Sequence, residues 1–106
     1  MNLESKLELI RLYDLYSNLL TPKQSEVVSL YLVQDVGYSE IAQILGISRQ
    51  AVYDLFSVAQ RALYDAEKTI GFDAFKQGLK KDLSRIASIP EDAKRKTELK
   101  TIIDNL

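Results

Sequence analysis

Six polar residues within ten positions carry most of the chemistry this chain offers: Ser48, Arg49, Gln50, Tyr53, Asp54 and Ser57. On a helix beginning at Arg49 they form the face that the second helix of a helix-turn-helix turns toward a DNA groove. Arg49 has the forked donors to take guanine O6 and N7. Gln50 has the paired donor and acceptor to take adenine N6 and N7, and each such pair is worth about 1–3 kcal/mol of discrimination. Tyr53 can lie against sugar or a thymine methyl, or donate to phosphate. Asp54 opposes phosphate unless it accepts from a cytosine amino group. The same six residues would also serve as the solvated side of an amphipathic helix, because a fold does not fix a function.

The elements that position them lie in residues 38–57, Tyr-Ser-Glu-Ile-Ala-Gln-Ile-Leu-Gly-Ile-Ser-Arg-Gln-Ala-Val-Tyr-Asp-Leu-Phe-Ser. Ala42 is small where two helices must cross closely. Gly46 sits at the turn position that favours φ > 0. Ile41, Leu45, Ile47, Val52 and Leu55 supply apolar contacts on both sides of the turn, and Ser48 is a good N-cap for the second helix.

Helical periodicity runs through the rest of the chain, with no sustained strand alternation. Leu3, Leu7, Ile10, Leu12, Leu15, Leu19 and Leu20 predict a broad apolar stripe over residues 3–20, with Tyr13 and Tyr16 at its edges. Thr21, Pro22 and Gln24 together read as a capped helix start. That helix is expected to reach about Gln34, burying Val27, Val28, Leu30, Tyr31, Leu32 and Val33. Gly37 opens a helix at Tyr38, with Glu40 in its first turn. The recognition helix is expected from Arg49 to about Ile70, stopped by Gly71. Phe72, Phe75, Leu79, Leu83 and Ile86 predict a fifth helix ending at Ile89-Pro90. A sixth, about 91–105, has its apolar face at Ala93, Leu99, Ile102, Ile103 and Leu106. The expectation is a single all-α domain over residues 1–106. It is an orthogonal bundle of about six helices, with the helix-turn-helix at 38–57 and a C-terminal helical pair at 72–106 packed against it.

Composition narrows the function classes. The chain of 106 residues has no cysteine and no histidine, so disulfides, thiol chemistry and the usual zinc ligands are excluded. Cysteine usage fits a cytoplasmic location, and the acidic N-terminus lacks the apolar core of a secretory signal. No apolar run approaches the length of a membrane span. No glycine-rich phosphate loop, nucleophile–base pair or metal cluster supports catalysis or a cofactor, and Glu4, Glu8, Glu91 and Asp92 are explained by helix starts. Net charge is −1, unevenly placed: residues 1–71 carry six basic and nine acidic side chains, residues 72–106 eight basic and six acidic. The helix-turn-helix half is therefore the acidic half, although phosphate neutralisation supplies most non-specific DNA affinity.

A second candidate site is Lys76, Lys80, Lys81 and Arg85, followed by Lys94, Arg95, Lys96 and Lys100. This cluster could contact the backbone of DNA or structured RNA, or simply be a solvated helix face. The stripe Leu99, Ile102, Ile103, Leu106 could cover its own subunit's core or join two copies as a homodimer.

Leu20-Thr21-Pro22-Lys23-Gln24, Tyr38-Ser39-Glu40-Ile41-Ala42 and Gly46-Ile47-Ser48-Arg49-Gln50-Ala51-Val52-Tyr53-Asp54 together resemble the YlxM family of small bacterial proteins. The likeness covers roughly residues 9–70. It implies a helix-turn-helix similar to region 4 of sigma-70-type factors, which reads a promoter element, and hence a DNA-binding regulator of transcription. It also implies regulation of, or action within, the signal recognition particle pathway, since genes of this family commonly sit beside the one for its GTPase. The chain departs from the family at Leu55-Phe56-Ser57-Val58-Ala59, where the family is polar and basic. Two readings stay open: a DNA reader, or a protein or RNA interaction module of the signal recognition particle pathway.

Overall fold

The structure, a computed structural model, describes residues 1–106 and contains six α-helices and no strand. They are α1 (Leu3–Tyr16), α2 (Pro22–Val28), α3 (Tyr38–Leu45), α4 (Arg49–Ile70), α5 (Phe72–Ala87) and α6 (Asp92–Asp104). The chain groups into two compact units, Met1–Asp73 and Ala74–Leu106.

The first unit owes its core to one face of each of its helices. On α1 that face is Leu9, Leu12 and Tyr16, all buried, at spacings of three and four. The expected stripe is thus corrected in phase: Leu9 lies at its centre, while Leu3, Leu7 and Leu19 are exposed. Thr21 and Gln24 form the expected capping box. Thr21 Oγ1 accepts from the Gln24 amide at 3.2 Å, and Gln24 Oε1 accepts from the Thr21 amide at 3.0 Å.

The α-helix does not continue to Gln34. After Val28 the chain widens into a π-turn, Ser29–Val33, where the Gln34 amide reaches the Ser29 carbonyl at 3.0 Å. The wider turn inserts one residue into the register. Leu32 therefore enters the core, Leu30 and Tyr31 are half-buried, and Val33 is left exposed. Asp35 then takes φ +58°, a left-handed conformation that a short polar side chain tolerates, and pairs with Lys6 at 3.0 Å on the surface.

Val27, Val28, Ile41, Val52, Phe56, Ala59, Leu63 and Ala66 complete the core with Leu32 and the α1 face. Burying one such large apolar side chain contributes roughly 1.5–3 kcal/mol. Gly71, at φ +71°, ends α4, its amide reaching the Glu67 carbonyl at 2.7 Å. Beside it a polar network ties α1 to the start of α5. The Tyr16 hydroxyl donates to Glu67 Oε1 at 2.7 Å and accepts from the Phe72 amide at 3.2 Å. The Asp73 amide donates to the same Glu67 oxygen at 3.0 Å, and Arg11 Nε donates to the buried Asp73 carboxylate at 3.2 Å. Burial and the Glu67 contact raise the pKa of Tyr16.

In the second unit Ile86 is the buried residue of α5. Arg95 pairs with Asp92 and donates to the Ile89 carbonyl at 2.9 Å, which holds the turn into α6. The apolar stripe expected on α6 is largely uncovered within one chain. Ile102 is half-buried, whereas Leu99, Ile103 and Leu106 are exposed. No helix is long and apolar enough to cross a membrane.

Candidate nucleic-acid interface

The turn between α3 and α4 is built by backbone conformation first. Gly46 adopts φ +67°, ψ +34°, the left-handed region that glycine enters without penalty, and the Ile47 amide closes on the Ala42 carbonyl at 3.1 Å. Ser48 is extended, and its hydroxyl accepts from the Ala51 amide at 3.0 Å, which starts α4 at Arg49. Ala42 is half-buried where α3 meets the core beneath α4.

One side of α4 is anchored by Val52, Phe56, Ala59, Leu63 and Ala66. That anchoring decides what the other side shows. Arg49, Gln50, Tyr53 and Asp54 are exposed together at its N-terminal end, with Ser48 exposed at the cap and Ser57 half-buried one turn further. The Gln50 amide donates to Asp54 at 2.9 Å, while Arg49 has no carboxylate within ion-pair distance. The first turn adds the positive end of the helix dipole, which favours an anion there.

Residues beyond those singled out in the sequence border this face. Tyr38, at the start of α3, stacks on Tyr31 and stands edge-on to Tyr53. Burial, then the adjacent Tyr31, pushes its hydroxyl up to about 12, so at neutral pH it is an uncharged donor. Tyr31, Tyr38, Tyr53 and Phe56 are scattered along the chain, and the fold brings their rings together beside the motif.

The second cluster does not form one patch. Lys76 and Lys80 share a line on α5, as do Lys81 and Arg85, but consecutive residues on a helix point about 100° apart. The two lines are therefore separate. All four side chains are exposed, and Arg85 is engaged by Glu98 at 3.6 Å.

Two helices crossing at a left-handed glycine, the second capped by serine and buried along one side, define a helix-turn-helix protein. The chain belongs to the UPF0122 family, described as YlxM / p13-like helix-turn-helix proteins, whose family model matches residues 3–106. It is similar to a UPF0122 protein of Fusobacterium nucleatum, 36% identical over 106 residues that span all of this chain and 99% of that protein. It is also similar to one of Clostridium perfringens, 32% identical over 100 residues, 88% of this chain and 89% of the relative. A third, from Thermoanaerobacter sp., is 35% identical over 98 residues, 90% of this chain and 84% of the relative.

Proposed function

We propose that this protein is a DNA-binding regulator that reads duplex DNA with the N-terminal turns of α4. One observation carries the reading: Arg49, Gln50 and Tyr53 are exposed side by side on a helix whose opposite side is fixed in the core. A groove reader needs this combination, because side chains that discriminate bases must be presented by an element that does not yield. Arg49 and Gln50 take base edges, Tyr53 and the Ser48 cap contact sugar and phosphate, and Ser57 extends the contact one turn along the groove. The cations of the second unit, Lys76 with Lys80 on one line and Lys81 with Arg85 on another, offer separate backbone contacts that carry no sequence information. The scarcity of cations near α4 makes a second copy useful, since two readers joined by a two-fold axis double the phosphate contacts. The exposed Leu99, Ile103 and Leu106 are the residues we assign to that homodimer contact.

Selection of duplexes from a random pool by the full protein, followed by titration at rising salt, tests the reading. A preferred sequence with affinity that falls steeply with salt is expected. Equal binding of selected and scrambled duplexes would overturn it. The protein or RNA docking role that the resemblance implies in the signal recognition particle pathway would then take its place.

A further inference from the structure

The aromatic cluster around the helix-turn-helix does more than fill space. Tyr31, from the π-turn, stacks on Tyr38 of α3 with ring centroids 4.6 Å apart and planes 24° apart. Phe56 of α4 meets both, at 4.9 Å and 6.0 Å, so these three rings pin one another against the core. Tyr53 is placed differently. Its ring stands at 85° to Tyr38 with centroids 6.1 Å apart, and it is 51% exposed. The two rings are walls of an open notch of about 430 Å³ completed by Arg49 and Gln50. That volume lies within the range of about 300–1,000 Å³ seen for sites that hold small organic molecules.

Groove reading leaves the tyrosine ring faces of this notch without a stacking partner, because paired bases show a groove their edges and not their faces. A base out of the stack shows a flat π surface, which tyrosine rings and guanidinium planes take up with little regard to base identity. We propose that Tyr53, Tyr38, Arg49 and Gln50 form a site for a single unpaired nucleobase, at a bulge or loop of a nucleic acid docked on the start of α4. This rests on the reading of that face as a nucleic-acid interface. Tyr53 is the stacking surface, and Tyr38, immobilised by Tyr31 and Phe56, is the fixed wall. Arg49 neutralises the flanking phosphate or covers the other face of the base. Gln50, with one amide hydrogen held by Asp54, keeps a carbonyl oxygen for an exocyclic amino group.

The test compares two hairpins with the same stem and loop and one 2-aminopurine each, paired in one and bulged in the other, made as DNA and as RNA. Both are titrated with the full protein by anisotropy and 2-aminopurine emission. The bulged hairpin is expected to bind roughly tenfold more tightly, with the emission quenched by stacking. Tyr53→Phe keeps both effects, and Tyr53→Ala reduces affinity to that of the paired hairpin and abolishes quenching. Tyr53→Leu, which keeps bulk without a flat ring, decides the matter if the alanine variant melts early. The DNA and RNA arms identify the sugar. Equal affinity for bulged and paired hairpins, or quenching that survives Tyr53→Ala and Tyr53→Leu, overturns the site. Sequence-selective duplex binding without a bulge effect overturns this site alone. A bulge effect without duplex sequence preference overturns only the duplex reading.

Discussion

Gln50 and Asp54, one turn apart at the start of α4, are joined by a 2.9 Å hydrogen bond in which the glutamine amide donates to the carboxylate. The acid that repels phosphate is therefore also the group that orients a base-reading side chain. Its two effects on DNA binding have opposite signs, and they separate on substitution.

Asp54→Asn removes the charge and keeps a hydrogen-bonding partner for Gln50. It should tighten DNA binding a few-fold at low salt, the gain fading as screening shortens to about 10 Å near 0.1 M. Asp54→Ala also frees Gln50 and should broaden preference at the base it reads. Anisotropy across a salt series checks both, and unchanged affinity in Asp54→Asn would place this face away from the phosphates.

Arg49→Ala should lose about 1–3 kcal/mol of specific binding and relax preference at one base pair. Lys81→Ala combined with Arg85→Ala should weaken all sequences alike and flatten the salt slope. Competition between selected and scrambled duplexes separates the two behaviours.

The motif itself can be probed by stability. Ala42→Leu overpacks the space between α3 and the core and should cost about 1–3 kcal/mol. At Gly46 an added Cβ meets no atom within 4 Å, so Gly46→Ala should lose only the left-handed backbone penalty, about 1–2 kcal/mol, and Gly46→Asn less. Urea unfolding at neutral pH measures both. An unchanged midpoint for Ala42→Leu would mean that the helices do not approach closely there.

Alkaline pH should destabilise the fold through its tyrosines. Tyr38 is raised by burial and by Tyr31 from 10.0 to about 12, and Tyr64 is raised by burial and by Glu8. A raised acid pKa means the folded state holds its proton more tightly than the unfolded state does. The associated stability is complete below pH 10 and is lost as pH climbs from 10 toward 12. Unfolding free energies at about pH 9 and pH 11 should differ less in Tyr38→Phe than in the native protein.

Local signals in the sequence reached as far as local chemistry decides structure. The start of α4 at Arg49 and its stop at Gly71 follow from a serine cap and a left-handed glycine, and both are visible in the residue types. The capping box at Thr21 is equally local. The α1 stripe was not, because leucines at 3, 7, 9, 12, 15, 19 and 20 with Ile10 allow two overlapping faces. Which face is buried depends on what α2 and α4 present to it. The π-turn at Ser29–Val33 adds one residue without any marker in composition. The Tyr31–Tyr38–Tyr53–Phe56 cluster assembles side chains from three elements, so spacing along the chain could not reveal it.

The joint between α4 and α5 has a consequence for hydrogen exchange. The first amides of a helix ordinarily have no partner within it and exchange with solvent readily. Here the Phe72 amide is held by the Tyr16 hydroxyl and the Asp73 amide by the Glu67 carboxylate. Deuterium should enter the Phe72 site only when the contact with Tyr16 of α1 breaks, and the Asp73 site only when the Glu67 carboxylate of α4 lets go. The first residue of α5 then keeps time with the opening of α1, a helix more than fifty residues earlier in the chain.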